Sequence, residues 1–268
     1  MSSYTSCPLA YRFSYVERLP QAPSAAASKG TLVHRALQHL HDEPPERRTV
    51  ARALEHLDRA RAELATDPDF AELELTEDEW DTFHADAAAL VQRYFEIEDP
   101  TKVNSIGREL WLEAEIEGIK IRGVIDRLDV DADGGLVITD YKTGAAPKAG
   151  WEQKSLAGVN VYALLCEAVQ GRRPVRLQLL YLSSAQSIAT TPTEGSMRAV
   201  RSKATAIMQA VTKACETGDF RPRRSGLCAY CSFQPCCPEF GGDPDRAGPT
   251  LRAAAAGAPQ SSAVPAAG

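Results

Sequence analysis

Gly123-Val124-Ile125-Asp126-Arg127-Leu128-Asp129 and Ile138-Thr139-Asp140-Tyr141-Lys142-Thr143-Gly144 are the two stretches on which the fold turns. Between them, Ala132-Asp133-Gly134-Gly135 is a turn signal, because Asp and Gly accept the backbone conformations of tight turns. The spacing predicts strands over 119–130 and 136–142, joined as a hairpin. With the hairpin centred near Asp133, Asp126 lies opposite Asp140, where facing Cβ atoms are roughly 4.5–5.5 Å apart. Two carboxylates so placed repel one another, and a divalent cation between them turns that cost into a binding site. Oxygen ligands suit Mg²⁺ or Mn²⁺. Lys142 points to the same face as Asp140, about 6–7 Å further along the strand. Its ammonium can orient a water or stabilise charge developing on a phosphate. Val124, Leu128, Leu136 and Ile138 are expected on that face too, so the three polar groups would be half-buried, which is costly without a function. The competing reading is a solvated hairpin face.

Outward from the hairpin, Glu109 to Glu117 alternates with period two. That predicts a half-buried strand with Leu110, Leu112, Ala114 and Ile116 inward, and Trp111, Glu113, Glu115 and Glu117 outward. Helical spacing is expected over 7–19, 30–41, 46–64, 77–96, 151–170 and 193–216, and a further strand over 175–182. Gln21 to Ser28 reads as a Pro/Ala/Ser linker, and Pro44-Pro45 as a helix stop. Helices, a strand meander and then helix–strand–helix predict an α/β fold with a central mixed sheet flanked by helices. An N-terminal helical part precedes the sheet and a cysteine-rich segment follows it. One domain over 1–242 is expected, with 243–268 a disordered Gly/Pro/Ala/Ser tail. His34 flanks the apolar stripe Val33, Leu37 and Leu40 and is a candidate ligand; His41, among charged residues, is expected to be solvated.

Four of the seven cysteines fall in Cys228-Ala-Tyr-Cys231-Ser-Phe-Gln-Pro-Cys236-Cys237. A CxxC turn lets two thiolates reach one metal centre, a third Cys can close over it, and Cys7 is a candidate fourth ligand. Cys₄ sites hold zinc or iron–sulfur clusters, and the spacing leaves both open. Cys166 and Cys215 read as small core residues.

Taken in order, Cys7-Pro8-Leu9, Gly30-Thr31-Leu32-Val33-His34, the two hairpin stretches, Tyr162-Ala163-Leu164 and the three-cysteine close resemble the RecB-type exonucleases of the PD-(D/E)XK nuclease superfamily. The resemblance is to the four-cysteine branch, which includes CRISPR-associated exonucleases and AddAB-type nuclease domains. It implies a restriction-endonuclease-like core and a metal-dependent deoxyribonuclease, of exonuclease type, serving DNA repair, recombination or defence. His34, Asp126 and Asp140 would hold the Mg²⁺ or Mn²⁺, with the Tyr141 carbonyl as a further ligand, and Lys142 would be the active-site lysine. Tyr162 matches the tyrosine of a Gln-x-x-x-Tyr helix that helps hold DNA. The glutamine position falls on Gly158, with Asn160 or Gln153 as substitutes, and Glu109 sits where relatives often carry an acid. Cys7, Cys228, Cys231 and Cys237 would hold a 4Fe–4S cluster, leaving Cys236 spare. DNA that is single-stranded or has free ends would be the substrate, with a helicase or repair protein as partner. Tyr11, Phe13 and Tyr15 are candidates for base stacking, and Arg172, Arg173, Arg176 and Arg221 to Arg224 for backbone contact. The alternative is a non-catalytic DNA-binding or scaffold module built around a structural metal cluster.

The 268 residues carry 36 acidic against 30 basic side chains, a net charge of -6, with 44% hydrophobic residues. That excludes a collagen-like, fully disordered or small disulfide-stapled chain. It also argues against a protein that coats nucleic acid by bulk charge. No apolar run reaches the roughly 18–20 residues of a membrane span, and the N-terminus lacks the pattern of a signal peptide. A cytoplasmic protein is therefore expected, without a membrane partner.

Overall fold

The computed structural model describes residues 2–148 and 150–251, leaving aside the side chains of residues 2, 153, 154 and 157. The helices are α1 (Ser2–Ser6), α2 (Pro8–Tyr11), α3 (Ala25–Asp42), α4 (Val50–Leu64), α5 (Pro68–Ala71) and α6 (Glu77–Ile97) before the sheet. The strands are β1 (Ser105–Ile116), β2 (Ile119–Val130), β3 (Leu136–Lys142), β4 (Arg176–Tyr181) and β5 (Gln186–Thr190). Helix α7 (Glu152–Gln170) connects β3 to β4, and α8 (Glu194–Thr217) follows β5. A π-helical turn, Arg12–Val16, completes the expected N-terminal helix.

The sheet runs β1-β2-β3-β4-β5, antiparallel except between β3 and β4, which are parallel and joined through α7. It is thus the expected mixed sheet flanked by helices. One face packs on α3, α4 and α6 through Tyr141, Leu180 and Leu182. The other packs on α7 through Leu128, Leu136, Ile138, Leu177 and Leu179. Among the described residues, no helix is long and apolar enough to cross a membrane.

Two turns set the register that matters. The Asp131 carboxylate accepts the N–H groups of Asp133 and Gly135 at 3.1 and 2.6 Å, and Gly134 sits at φ +80°. The resulting β2–β3 ladder pairs Arg127 with Thr139 and Leu128 with Ile138. Carried one step on, it sets Asp126 opposite Asp140, as the sequence suggests. The β1–β2 loop is Glu117-Gly118, both at positive φ, the conformation of a two-residue hairpin turn whose twist matches the strands.

The β1–β2 ladder also contains the main departure from expectation. It pairs Arg108 with Arg127 and Leu110 with Ile125 but skips Glu109 and Asp126. Glu109 lies at φ +43°, a left-handed conformation costly for a residue with a Cβ. Beyond this break the strands exchange faces. Ile125, rather than Val124, joins Leu110 and Leu112 in the α7 core. Val124, expected beside the two aspartates, instead pairs with the exposed Trp111.

Other differences are local. Helix α3 starts at Ala25, inside the expected linker, because Ala25-Ala26-Ala27 are strong helix formers and Ser28 is buried, donating to the Asp69 carbonyl at 2.7 Å. Edge strand β5 has a polar sequence with only Ile188 packed inward, too weak a pattern to read beforehand.

The described chain divides into two compact units, one within 23–205 and one of 2–22 with 206–251, the division falling within α8. The smaller unit has its own core of Leu9, Phe13, Leu19, Ala214, Phe220, Phe233, Cys236, Ala247 and Leu251. Ala247 and Leu251 fall in the stretch expected to be a tail, and both side chains are buried in this core. Residues 252–268 lie outside the described residues. Phe13, a stacking candidate, is fully buried, whereas Tyr11 and Tyr15 stack on each other with centroids 5.0 Å apart. Cys166 is buried as expected; Cys215 is exposed.

Candidate functional site

Where β3 ends at Lys142, the side chains of Asp126 and Asp140 meet His34 of α3, Glu109 of β1 and Tyr162 of α7. His34 is the link between the helical layer and the sheet. Its Nε2–H donates to the Tyr141 carbonyl at 3.2 Å. That bond fixes the neutral tautomer, so Nδ1 carries a lone pair rather than a proton. Nδ1 faces Asp126 Oδ2 at 3.5 Å and Glu109 Oε1 at 4.0 Å. One ligand atom from each of His34, Glu109 and Asp126 lies within 4.8 Å of the others. A lone pair and two carboxylates converging on one point repel each other, and a cation at that point reverses the sign. The chemistry of the donor set, one imidazole with carboxylate oxygens, fits Mn²⁺ or Mg²⁺.

Asp126 is held in place by the backbone N–H of Tyr141, which donates to its Oδ2 at 2.7 Å. Burial, then the neighbouring Asp140 carboxylate, push the Asp126 carboxyl up from an ordinary 3.8 to about 7. Burial also raises Glu109, with the Asp126 charge adding to it, and burial lowers His34. These shifts all favour less charge in a crowded acidic pocket.

Asp140 lies outside the tight three-atom group. Its buried Oδ2 is 2.5 Å from Lys142 Nζ, a charge contact that lacks hydrogen-bond geometry. Lys142 thus bends back onto Asp140 while remaining 45% exposed. Tyr162 packs edge-on against β2 at Gly123, where a Cβ would lie 2.9 Å from Tyr162 Cε1. Only a glycine admits the ring there. Burial and the fields of Asp140, Asp126 and Glu109 push the Tyr162 hydroxyl up to about 12, so it stays protonated and able to donate. Gly158, one turn before Tyr162, faces open space. Asn160 is buried and donates to the Leu156 carbonyl at 2.8 Å on its own helix; the Gln153 side chain lies outside those described.

Two residues that the sequence did not single out as principals stand out. Glu109 belongs to the tight trio, and the Glu117-Gly118 turn carried its signal: a two-residue hairpin there sets Glu109 across from Asp126. Arg127 is fully buried behind the site, bonded to Glu98, Asp129, Tyr94 and the Tyr141 hydroxyl. His41, expected to be solvated, is buried against this network, its Nε2 2.7 Å from Tyr94 Oη and 3.0 Å from Arg127 Nη1. Burial and the adjacent Arg127 hold His41 down at about 2, neutral at any working pH.

In the smaller unit, Cys7, Cys228, Cys231 and Cys237 all line one cavity of about 550 Å³. None of them is in a disulfide. Burial raises the Cys237 thiol, and the neighbouring Cys7, Cys231 and Cys228 raise it further. Cys236 turns away into the core, its Sγ 4.0 Å from the Ala247 carbonyl. The basic candidates are largely engaged with protein partners: Arg173 with Glu167 and Glu194, Arg221 with Asp219, Arg224 with Glu239, and Arg223 with the Thr5 carbonyl.

The chain is 25% identical to the Gene 69 protein of Mycobacterium phage D29 over 264 residues, covering 90% of this chain and 95% of that one. It is 27% identical to the Gene 69 protein of Mycobacterium phage L5 over 135 residues, 49% of this chain and 44% of the other. Its fold is similar to the crystal structure of a "Putative exonuclease" from Eubacterium rectale, with TM-score 0.52 and 14% identity over 84% of this chain and 80% of that one. The family model of the PD-(D/E)XK nuclease superfamily matches residues 1–238, and the chain belongs to that superfamily.

Proposed function

We propose that the chain is a divalent-metal-dependent deoxyribonuclease of the RecB type, acting as an exonuclease on DNA with single-stranded or free ends. The observation that carries this reading is the convergence of the unprotonated His34 Nδ1 with Glu109 and Asp126 beside the Asp140–Lys142 pair. His34, Asp126 and Glu109 would hold Mg²⁺ or Mn²⁺, with Asp140 and the second lone pair of the Tyr141 carbonyl completing the ligand set. A divalent cation there would supply positive charge to polarise a phosphodiester and acidify a water. Lys142, partly exposed beside that point, neutralises charge developing on the phosphate. Asp140 keeps the ammonium aimed, and the Tyr162 hydroxyl donates to the DNA or to the acids. The biological setting we propose is DNA repair, recombination or defence in the cytoplasm, with a helicase or repair protein delivering the ends.

Cys7, Cys228, Cys231 and Cys237 would hold a 4Fe–4S cluster. The shared cavity and the diversion of Cys236 into the core support this set.

The test is one anaerobic purification followed by cleavage of a fluorogenic DNA end. The wild type is expected to be brown, with iron rather than zinc, and to cleave with Mg²⁺ or Mn²⁺ but not with EDTA. Asp126→Ala is expected to be inactive. Full Mg²⁺-dependent cleavage by that variant would sink the catalytic reading; stoichiometric zinc without iron would sink the cluster.

A further inference from the structure

Tyr141 makes three directional contacts that converge on the metal ligands from behind. Its N–H donates to Asp126 Oδ2 at 2.7 Å, its carbonyl accepts from His34 Nε2 at 3.2 Å, and its hydroxyl accepts from Arg127 Nη1 at 2.7 Å. The first two bonds belong to the peptide groups flanking its Cα. The orientation of that one residue therefore sets the aim of two side chains arriving from different elements, β2 and α3. The third bond ties the same residue to the most buried charge in the larger unit. Arg127 is 1% exposed and is itself clamped by Glu98, the residue that caps the end of α6, and by Asp129 on β2. It is also the residue after Asp126, so the clamp fixes the backbone of β2 next to the ligand while its guanidinium fixes β3.

We propose that the Tyr141 hydroxyl and Arg127 form a positioning device that presets Asp126 and His34 for the metal. It transmits the rigidity of the buried Glu98–Arg127–Asp129 cluster to the site through the Tyr141 backbone. Neither group touches the substrate; each acts through the two ligands. The inference rests on the metal-site reading above and adds to it the source of the site's pre-organisation. Buried ion clusters are weak evidence for stability, since desolvation offsets most of the attraction. A positioning role gives this one a reason to exist. Outer partners of metal ligands typically change metal affinity or activity by about 10–100-fold.

The network supplies a matched control. Tyr94 Oη also accepts from Arg127 Nη1, at 3.1 Å, and donates to Glu98 Oε1 at 2.6 Å, but no backbone bond links Tyr94 to Asp126 or His34 among the described contacts. Tyr141→Phe and Tyr94→Phe each delete one buried hydroxyl from the same cluster and should cost similar stability. Two readouts separate them. The first is Mn²⁺ alone, titrated calorimetrically into the full chain: Tyr141→Phe is expected to weaken the Asp126-dependent site on the order of ten-fold, and Tyr94→Phe to leave it within two-fold of wild type (~2). The second is nitrogen NMR of the histidines in metal-free protein. His34 should show a single Nε2–H tautomer in wild type and Tyr94→Phe, and a mixture in Tyr141→Phe. Equal Mn²⁺ affinity in the two variants, or an undisturbed His34 tautomer in Tyr141→Phe, overturns the proposal. If wild type and Asp126→Ala take up Mn²⁺ alike, the metal-site reading fails instead, and the tautomer readout still decides whether Tyr141 positions His34.

Discussion

The acidic pocket of the larger unit and the cysteine cavity of the smaller one both gather candidate ligands, but they are built in opposite ways. His34, Glu109 and Asp126 sit on a long helix and two long strands whose own hydrogen bonds and cores hold them. Their charges are in conflict there, and the surrounding fold absorbs the conflict. Cys228, Cys231 and Cys237 sit on or beside short 3₁₀ turns, and Cys7 precedes a four-residue helix. Those turns have few internal bonds, and the core beneath them is small. A metal in the first place would be free to exchange, because helix and strand bonds already hold the residues that would ligate it. In the second place the bound group would itself be part of the scaffold. The same contrast separates catalytic from structural metal sites in general.

The largest effect should come from breaking the cysteine side. Structural metal sites supply on the order of 10 kcal/mol of folding free energy to the segments that ligate them. Cys231→Ser in the full chain should therefore lose the visible chromophore and open the cysteine segment. Limited trypsin treatment should then cut after Arg223 or Arg224, while residues 23–205 stay protected. Equal protection of wild type and variant would mean that the small core holds this unit unaided, and the contrast would collapse.

A smaller but sharper effect is expected at Lys142. Removing one preorganised group aimed at developing charge costs about 10²–10³-fold in kcat. Lys142→Met should show that loss with Mn²⁺ affinity retained or improved, since Asp140 is then free of its 2.5 Å partner. A fall in Mn²⁺ affinity with kcat unchanged at saturating metal would instead make Lys142 a structural counter-ion.

Legibility in the sequence follows the strength of the local signal. Strands β2 and β3 and their register are readable because Asp131 to Gly135 is a strong turn and the alternation around it is regular. The joint placement of His34, Asp126, Asp140, Lys142 and Tyr162 needs the resemblance as well, since His34 is brought in by the packing of α3 and not by any spacing. The exchange of faces at Glu109 is hidden: Leu110 to Ile116 alternates perfectly on its own, and a single left-handed residue before it shifts the phase without leaving a glycine as a marker. His41 reads as solvated, and the burial of Arg127 leaves no local signal, because their partners, Tyr94, Glu98 and Tyr141, are distant in sequence. The burial of Ala247 and Leu251 is hidden by an Ala/Gly/Pro composition that resembles a linker.

The smallest expected effect tests whether the acidic pocket is under the strain that the contrast assigns to it. In metal-free protein the Asp126 carboxyl titrates near 7 against 3.8 for an ordinary aspartate. Between those values the folded state binds more protons than the unfolded state, so this group lowers stability as pH rises through the window. Above about 7 its full cost is present, and below 3.8 it vanishes. Asp126→Asn keeps an oxygen for the Tyr141 N–H and removes the charge. Measured without metal, its Tm should exceed that of wild type by more at pH 8 than at pH 5. A difference on the order of 1 kcal/mol corresponds to roughly 2–4 °C for a domain of this size. Mn²⁺ should raise the wild-type Tm at pH 8 and leave the variant nearly unmoved, because the cation relieves in one protein what the amide has already relieved in the other. A variant less stable than wild type at pH 8 would mean that the carboxylate is satisfied without metal, and the pocket would then be a structural site like its counterpart in the smaller unit.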